Sequence, residues 1–146
     1  MKTPIENLKN RRSIRKFKPD MLPKLVLTEI VEAGTYAPTG KNTQSPIIIV
    51  VTDPVQREKI RQVNVAIGGW AEDYDPFYGA PVILVVLANK KSYNHVYDGT
   101  LVMGNLMLAA HALGVGSCWI NRAKQAFEMD EWKEWLRSLG IEGEYE

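Results

Sequence analysis

Two runs of apolar, mostly β-branched residues constrain this chain more than anything else in it: "IIIVV" at residues 47–51 and "VILVVLA" at 82–88. Neither alternates with polar residues, so each reads as a strand buried on both faces. A sheet of such strands needs an apolar cover on each side. The surrounding spacings supply one. Leu22, Val26, Ile30, Ala33 and Ala37 make a helical stripe, with Pro23 in its first turn and Pro38 and Gly40 breaking it. Asp53-Pro54 starts a second helix, carried to Ile67 by Val55, Ile60 and Val63. Asp98 is expected to cap a long helix that ends at Gly114. That helix is apolar on nearly every face, so a core or a partner subunit must cover all of it. "GSCWI", residues 116–120, is expected as a third strand, and Met129, Trp132, Leu136 and Leu139 predict a last helix over about 128–139. Strands alternating with helices predict an α/β or α+β three-layer domain. No repeat or linker divides the 146 residues, which read as one domain.

Composition excludes several functions. Eighteen basic residues against seventeen acidic ones leave a net charge of +1, which argues against a general nucleic-acid binder. One cysteine, Cys118, cannot form an internal disulfide and fits a reducing, cytoplasmic compartment. With two histidines, His95 and His111, a zinc site of the usual ligands is not expected, and no metal is called. The N-terminus lacks the apolar run of a signal peptide, and the most apolar helical segment, 101–113, is too short to span a membrane. No GxGxxG follows the first strand and no GxxxxGK[ST] occurs.

Two stretches remain for chemistry. "NRRSIRKFKP", residues 10–19, puts Arg11, Arg12, Arg15, Lys16 and Lys18 into eight residues around Ser13. Such a cluster can grip a phosphate bidentately, or it can be a solvated basic segment. "APTGKNTQSP", residues 37–46, joins a helix end to a buried strand through small and amide-bearing residues. It reads as a ligand loop or as an ordinary connection. His111 reads as a core or interface histidine, and Cys118 as a small hydrophobe. Trp70 and Trp119 lie beside loops and could line a pocket. No nucleophile–histidine set or carboxylate pair is convincing, so an enzyme built on this chain would take its hard chemistry from a cofactor.

Those two stretches in this order, followed by "DGTLVMGNLMLAAHALGVGSCWI", resemble the nitroreductase family of flavin mononucleotide (FMN) oxidoreductases. The resemblance implies an α+β fold, a three-layer α/β/α sandwich with a central mixed sheet. It also implies an intertwined homodimer with two FMN sites at the interface. It implies ping-pong chemistry in which NAD(P)H reduces the flavin and a nitroaromatic, quinone or similar acceptor reoxidises it, with no catalytic side chain. By position, Arg11, Arg12, Ser13 and Arg15 match the residues that hold the FMN phosphate and part of the ring. Pro38, Thr39, Gly40 and Asn42 match the loop that reaches the flavin from the other subunit. Trp119, Ile120 and Asn121 match the stretch along the flavin near its reactive nitrogen. Lys16 and Lys18 are left as surface charge. Family members continue into a Gly-Tyr-Pro segment and a closing strand with a late Lys or Arg, and that C-terminal segment is expected to be absent from residues 1–146. The alternative is a non-catalytic flavin-binding or dimeric scaffold domain of the same fold. The aromatic stretch Trp70–Tyr78 would cover the flavin in that case, or select the acceptor in an enzyme.

Overall fold

A computed structural model describes residues 2–146. Helix α1, Pro4–Asn10, opens on a reciprocal cap: the Thr3 hydroxyl accepts from the Glu6 N–H, and the Glu6 carboxylate accepts from the Thr3 N–H at 2.8 Å. Next come α2, Lys24–Thr35, strand β1, Pro46–Val51, and α3, Pro54–Gly68, whose N-cap Asp53 accepts from the Gln56 N–H. Strand β2, Ile83–Ala88, leads into α4, His95–Ala112, and then α5, Ala123–Phe127, and α6, Asp130–Ser138.

β1 and β2 pair antiparallel, with Pro46 opposite Ala88 and Val51 opposite Ile83. Their side chains alternate between two cores. Val51, Val85 and Leu87 join Ile60 of α3, Phe127 of α5 and Trp132 of α6 on one face. Ile48, Leu84 and Val86 pack against Ile30 of α2 and Val102 and Leu106 of α4 on the other. The three-layer α+β arrangement follows from that division. Gly34 lets α2 close onto α4: a Cβ there would lie 2.6 Å from Leu106 Cδ2 and 2.9 Å from Ile48 Cδ1.

The third strand is not regular. Residues 116–120 pair at a single parallel bridge, Ser13 to Ser117, because their neighbour is the irregular segment after α1. A second bridge, antiparallel, joins Asn89 and Tyr145, so that Ala88 and Glu146 exchange backbone bonds of 2.8 and 3.1 Å. The expected last helix over about 128–139 is α6, and the short α5 precedes it unforeseen, set off by extended Met129, whose carbonyl accepts from Trp132 and Lys133. Helix α4 begins three residues before Asp98, at a turn closed by Ser92, and this displaces Asp98 from the cap into the first turn. Among the described residues, no helix is long and apolar enough to cross a membrane.

Candidate functional site

The basic segment hangs between two neighbours. The Ile14 N–H donates to the Ser117 carbonyl at 2.9 Å, and the Phe17 N–H to the Tyr78 carbonyl at 3.2 Å. Helix α1 fixes where the segment starts, because the Asn7 amide donates to the Leu108 carbonyl of α4 at 2.9 Å. Arg12 turns back on that helix, donating to the carbonyls of Lys9 and Arg11 at 2.8 and 2.9 Å. Arg11 Nη1 is buried and without a partner among the described residues. Ser13 and Arg15 are exposed. The ion pairs of the described residues all lie elsewhere, so none neutralises Arg11, Arg12, Arg15, Lys16 or Lys18. The segment is an uncompensated positive field in a nearly neutral protein.

Two adjoining cavities border it. The larger, about 650 Å³, runs from Phe17 and Leu22 past Met103 and Met107 to Trp119, Ile120 and Asn121. The smaller, about 420 Å³, is lined by Arg11, Arg12, Lys2 and His111. They share Ile14 and the stretch from Gly114 to Ser117. The result is an apolar slot of the usual size for a small-molecule site, cationic at one end. Burial first, then the charges of Lys2 and Arg11, hold the His111 imidazole below its ordinary pKa. Lys2 Nζ lies 3.3 Å from its Nε2 and donates to the neutral ring.

The loop after α2 is tightly turned and internally hydrogen-bonded. Lys41, Asn42 and Gln44 have φ of 52°, 54° and 49°, a left-handed region that non-glycine residues rarely adopt and that concentrates at binding sites. Asn121 shares the trait with φ 61°. The Thr39 hydroxyl accepts from the Gln44 N–H at 3.0 Å, and the Gln44 side-chain amide donates to Asn42 Oδ1 at 3.0 Å. The Gly40 N–H donates to Asp98 Oδ1 at 2.9 Å. Gly40 also faces Asn94, whose Nδ2 would lie 2.4 Å from any Cβ at that position. Pro38 and Asn42 are exposed.

The structure therefore joins two of the three predicted segments. Arg11–Arg15 bridges at Ser13 to Ser117, two residues before Trp119–Asn121, and the cavities that border the two segments adjoin along Ile14 and Gly114–Ser117. Pro38–Asn42 does not join them. It is tied to Asp98 in the first turn of α4, whereas the basic segment lies by His111 in the last turn. Thirteen residues of helix separate those points, roughly 20 Å at 1.5 Å per residue. Two participants were not foreseen. Asp98, 3% exposed, anchors the loop through Oδ1 and keeps Oδ2 without a partner among the described residues. Arg122 lines the larger cavity and stacks on Trp70, its centroid distance 4.6 Å. Its position directly after Trp119–Asn121 was the available sequence signal.

A profile described as the nitroreductase family matches residues 8–144. A nitroreductase with bound FMN from Bacteroides fragilis NCTC 9343 superposes with a TM-score of 0.89 at 28% identity, covering 100% of this chain and 84% of that one. An NADH dehydrogenase of Thermus thermophilus is 39% identical over 79 residues, which is 54% of this chain and 35% of the relative. An FMN reductase (NADPH) of Bacillus subtilis is 27% identical over 156 residues, or 94% of this chain and 61% of the relative. The chain spans from about a third to three fifths of the length of such curated relatives.

Proposed function

The chain belongs to the nitroreductase family, and from that premise we propose that it is an FMN-dependent NAD(P)H oxidoreductase acting as a homodimer. The observation that carries the reading is the bridge from the cationic segment to Ser117, where the cavity lined by Arg11 and Arg12 adjoins the apolar cavity lined by Trp119, Ile120 and Asn121. A planar ring ending in a phosphate fits that slot. The buried, partnerless Arg11 Nη1 suits the phosphate end in particular.

In this reading Arg11, Ser13 and Arg15 hold the phosphate. Arg12 adds to the positive field while its guanidinium closes α1. Trp119, Ile120 and Asn121 line the ring's edge. Pro38, Thr39, Gly40 and Asn42 serve the site of a second copy, which accounts for their distance from the basic segment of their own chain. The outer faces of α2 and α4 support the pairing: Leu25 of α2, Tyr36 just past its end and Tyr97 of α4 are 81%, 78% and 70% exposed. FMN, when bound, supplies the hydride chemistry, taking two electrons from NAD(P)H and yielding them to a nitroaromatic, quinone or similar acceptor in ping-pong fashion. The protein's part is to bind, to orient and to exclude water. Residues 1–146 act as a single FMN-binding domain, and lone Cys118 supports a reducing, cytoplasmic setting.

The test is anaerobic and in two halves. NADH or NADPH should bleach the flavin absorbance of reconstituted protein, and a quinone or nitroaromatic should restore it. Flavin that binds but is not reduced by either nicotinamide would leave only the scaffold reading.

A further inference from the structure

Arg122 lies outside the roles assigned so far. Asn121, left-handed, turns the chain immediately before it and delivers it to the head of α5. Its guanidinium is then fixed from two sides. Nε donates to Asn64 Oδ1 at 3.2 Å, and Cζ sits over the Trp70 ring. Asn64 is 4% exposed and is itself oriented, its Nδ2 donating to the Ile60 carbonyl at 2.9 Å. Trp70 is held as well. Its indole lies across the end of α3, where a Cβ at Gly68 would come within 2.1 Å of the ring, and it packs on Tyr74 at 5.0 Å.

Arg122 has no carboxylate partner among the described residues, and only Nε of its guanidinium is hydrogen-bonded there. Its two terminal nitrogens remain as a rigid fork, a shape matched to carboxylate or phosphate. The cavity it lines is cationic besides: of its other charged residues, Lys16 and Lys18 are basic and Asp20 alone is acidic.

We propose that Arg122 is a specificity-determining residue that receives an oxyanion carried by the aromatic molecule entering the cavity, so that anionic aromatic substrates are preferred to neutral ones. The proposal deepens the oxidoreductase reading and rests on it for turnover, but not for binding. Either an aromatic carboxylate acceptor or the 2′-phosphate of NADPH can present the oxyanion.

The test compares wild type with Arg122→Met, Arg122→Lys and Trp70→Phe, each as the full chain reconstituted with FMN. The ratio of kcat/KM for 4-nitrobenzoate to that for 4-nitrobenzamide should fall about tenfold or more in Arg122→Met, chiefly through KM, as expected for losing a hydrogen bond to a charged group. Arg122→Lys, which keeps the charge but not the fork or the stacking, should keep only part of the ratio. Trp70→Phe, which weakens the stacking, should lower it by less. A fall in the NADPH-to-NADH ratio instead would assign the oxyanion to the donor, and the proposal would hold in that form. Both ratios within twofold of wild type in Arg122→Met would overturn it. Tryptophan-fluorescence titration with benzoate and benzamide gives a readout without turnover, where Arg122→Met should weaken benzoate about tenfold relative to benzamide. If no acceptor is reduced, the oxidoreductase reading falls and this titration alone decides: equal benzoate affinity in wild type and variant would refute the role of Arg122.

Discussion

Asp75 ties the aromatic stretch to α3, and replacing it with alanine should cost a predictable amount. Its carboxylate accepts from Arg57 Nη2 at 2.8 Å, from the Phe77 N–H at 3.0 Å and from the Gly79 N–H at 2.9 Å. Burial pushes the carboxyl's pKa up, but these three donors outweigh it, and the carboxyl lies below its ordinary value. In Asp75→Ala the Phe77 N–H, on a residue 6% exposed, loses its acceptor. Arg57 keeps only its bond from Nε to the Ala80 carbonyl and its place over the Phe77 ring. A hydrogen bond to a charged group is worth about 1.5–3 kcal/mol, and an orphaned buried donor costs about 1–3 kcal/mol. Gly79 is exposed, so water replaces its acceptor. Asp75 is itself partly open to solvent, which puts the ion-pair contribution at the low end. The expected loss is about 2–3 kcal/mol, read by urea unfolding at one protomer concentration with an unchanged slope. The pH dependence carries a sign. A depressed folded-state pKa means that the stabilisation is complete above the unfolded value, about 3.9, and is lost as pH falls through the folded one. The gap between wild type and variant should thus be constant from about pH 7 to pH 5 and close below about pH 4. A loss under about 0.5 kcal/mol, or a gap undiminished at low pH, would refute the reasoning.

Glu146 should govern a separate acid transition: hydrogen bonds from Lys124 and His95 draw its pKa down to about 2. Its contribution is present above its unfolded value, about 4.3, and lost between there and about 2, so Glu146→Gln should flatten that limb of a stability–pH curve. Gly34→Ala should destabilise by about 1–3 kcal/mol in thermal or urea unfolding, because its Cβ would meet Leu106 and Ile48. Trimming Leu106 as well should recover part of that strain, giving a double variant less destabilised than the sum.

Much of this architecture is legible in the chain because burial on both faces leaves a mark that periodicity can read. The runs at 47–51 and 82–88 became β1 and β2, the stripe at 22–37 became α2 with both ends trimmed by two residues, and the stripe at 54–67 became α3, one residue longer. What was misread depended on partners rather than pattern. "GSCWI" has strand composition, but only Ser117 finds a bridging neighbour. Asp98 has the chemistry of a helix cap, yet the turn at Ser92 starts the helix earlier and leaves its carboxylate to the Gly40 N–H. Helix α1 is marked in the sequence only by the capping box of Thr3, Pro4 and Glu6, because its seven residues bury none of their number and leave no apolar stripe. The candidate site is legible in residue types but not in geometry. Residue types marked the cationic segment and the polar loop, and the strained backbone at Lys41, Asn42, Gln44 and Asn121 agrees with ligand-facing turns. That Arg12 closes its own helix, and that Arg122 is clamped between Asn64 and Trp70, are facts of side-chain direction that no spacing encodes.

If the cationic segment grips the phosphate of a flavin, as we propose, FMN affinity must depend on its arginines. Titrating FMN into apoprotein, followed by quenching of its fluorescence, tests this directly in wild type and in the double variant Arg11→Ala, Arg15→Ala. Loss of two charge-assisted bonds should weaken binding by about 3 kcal/mol or more, on the order of 100-fold, while riboflavin, which lacks the phosphate, should bind both proteins alike. An FMN affinity unchanged by the two substitutions would place the phosphate elsewhere and contradict the account.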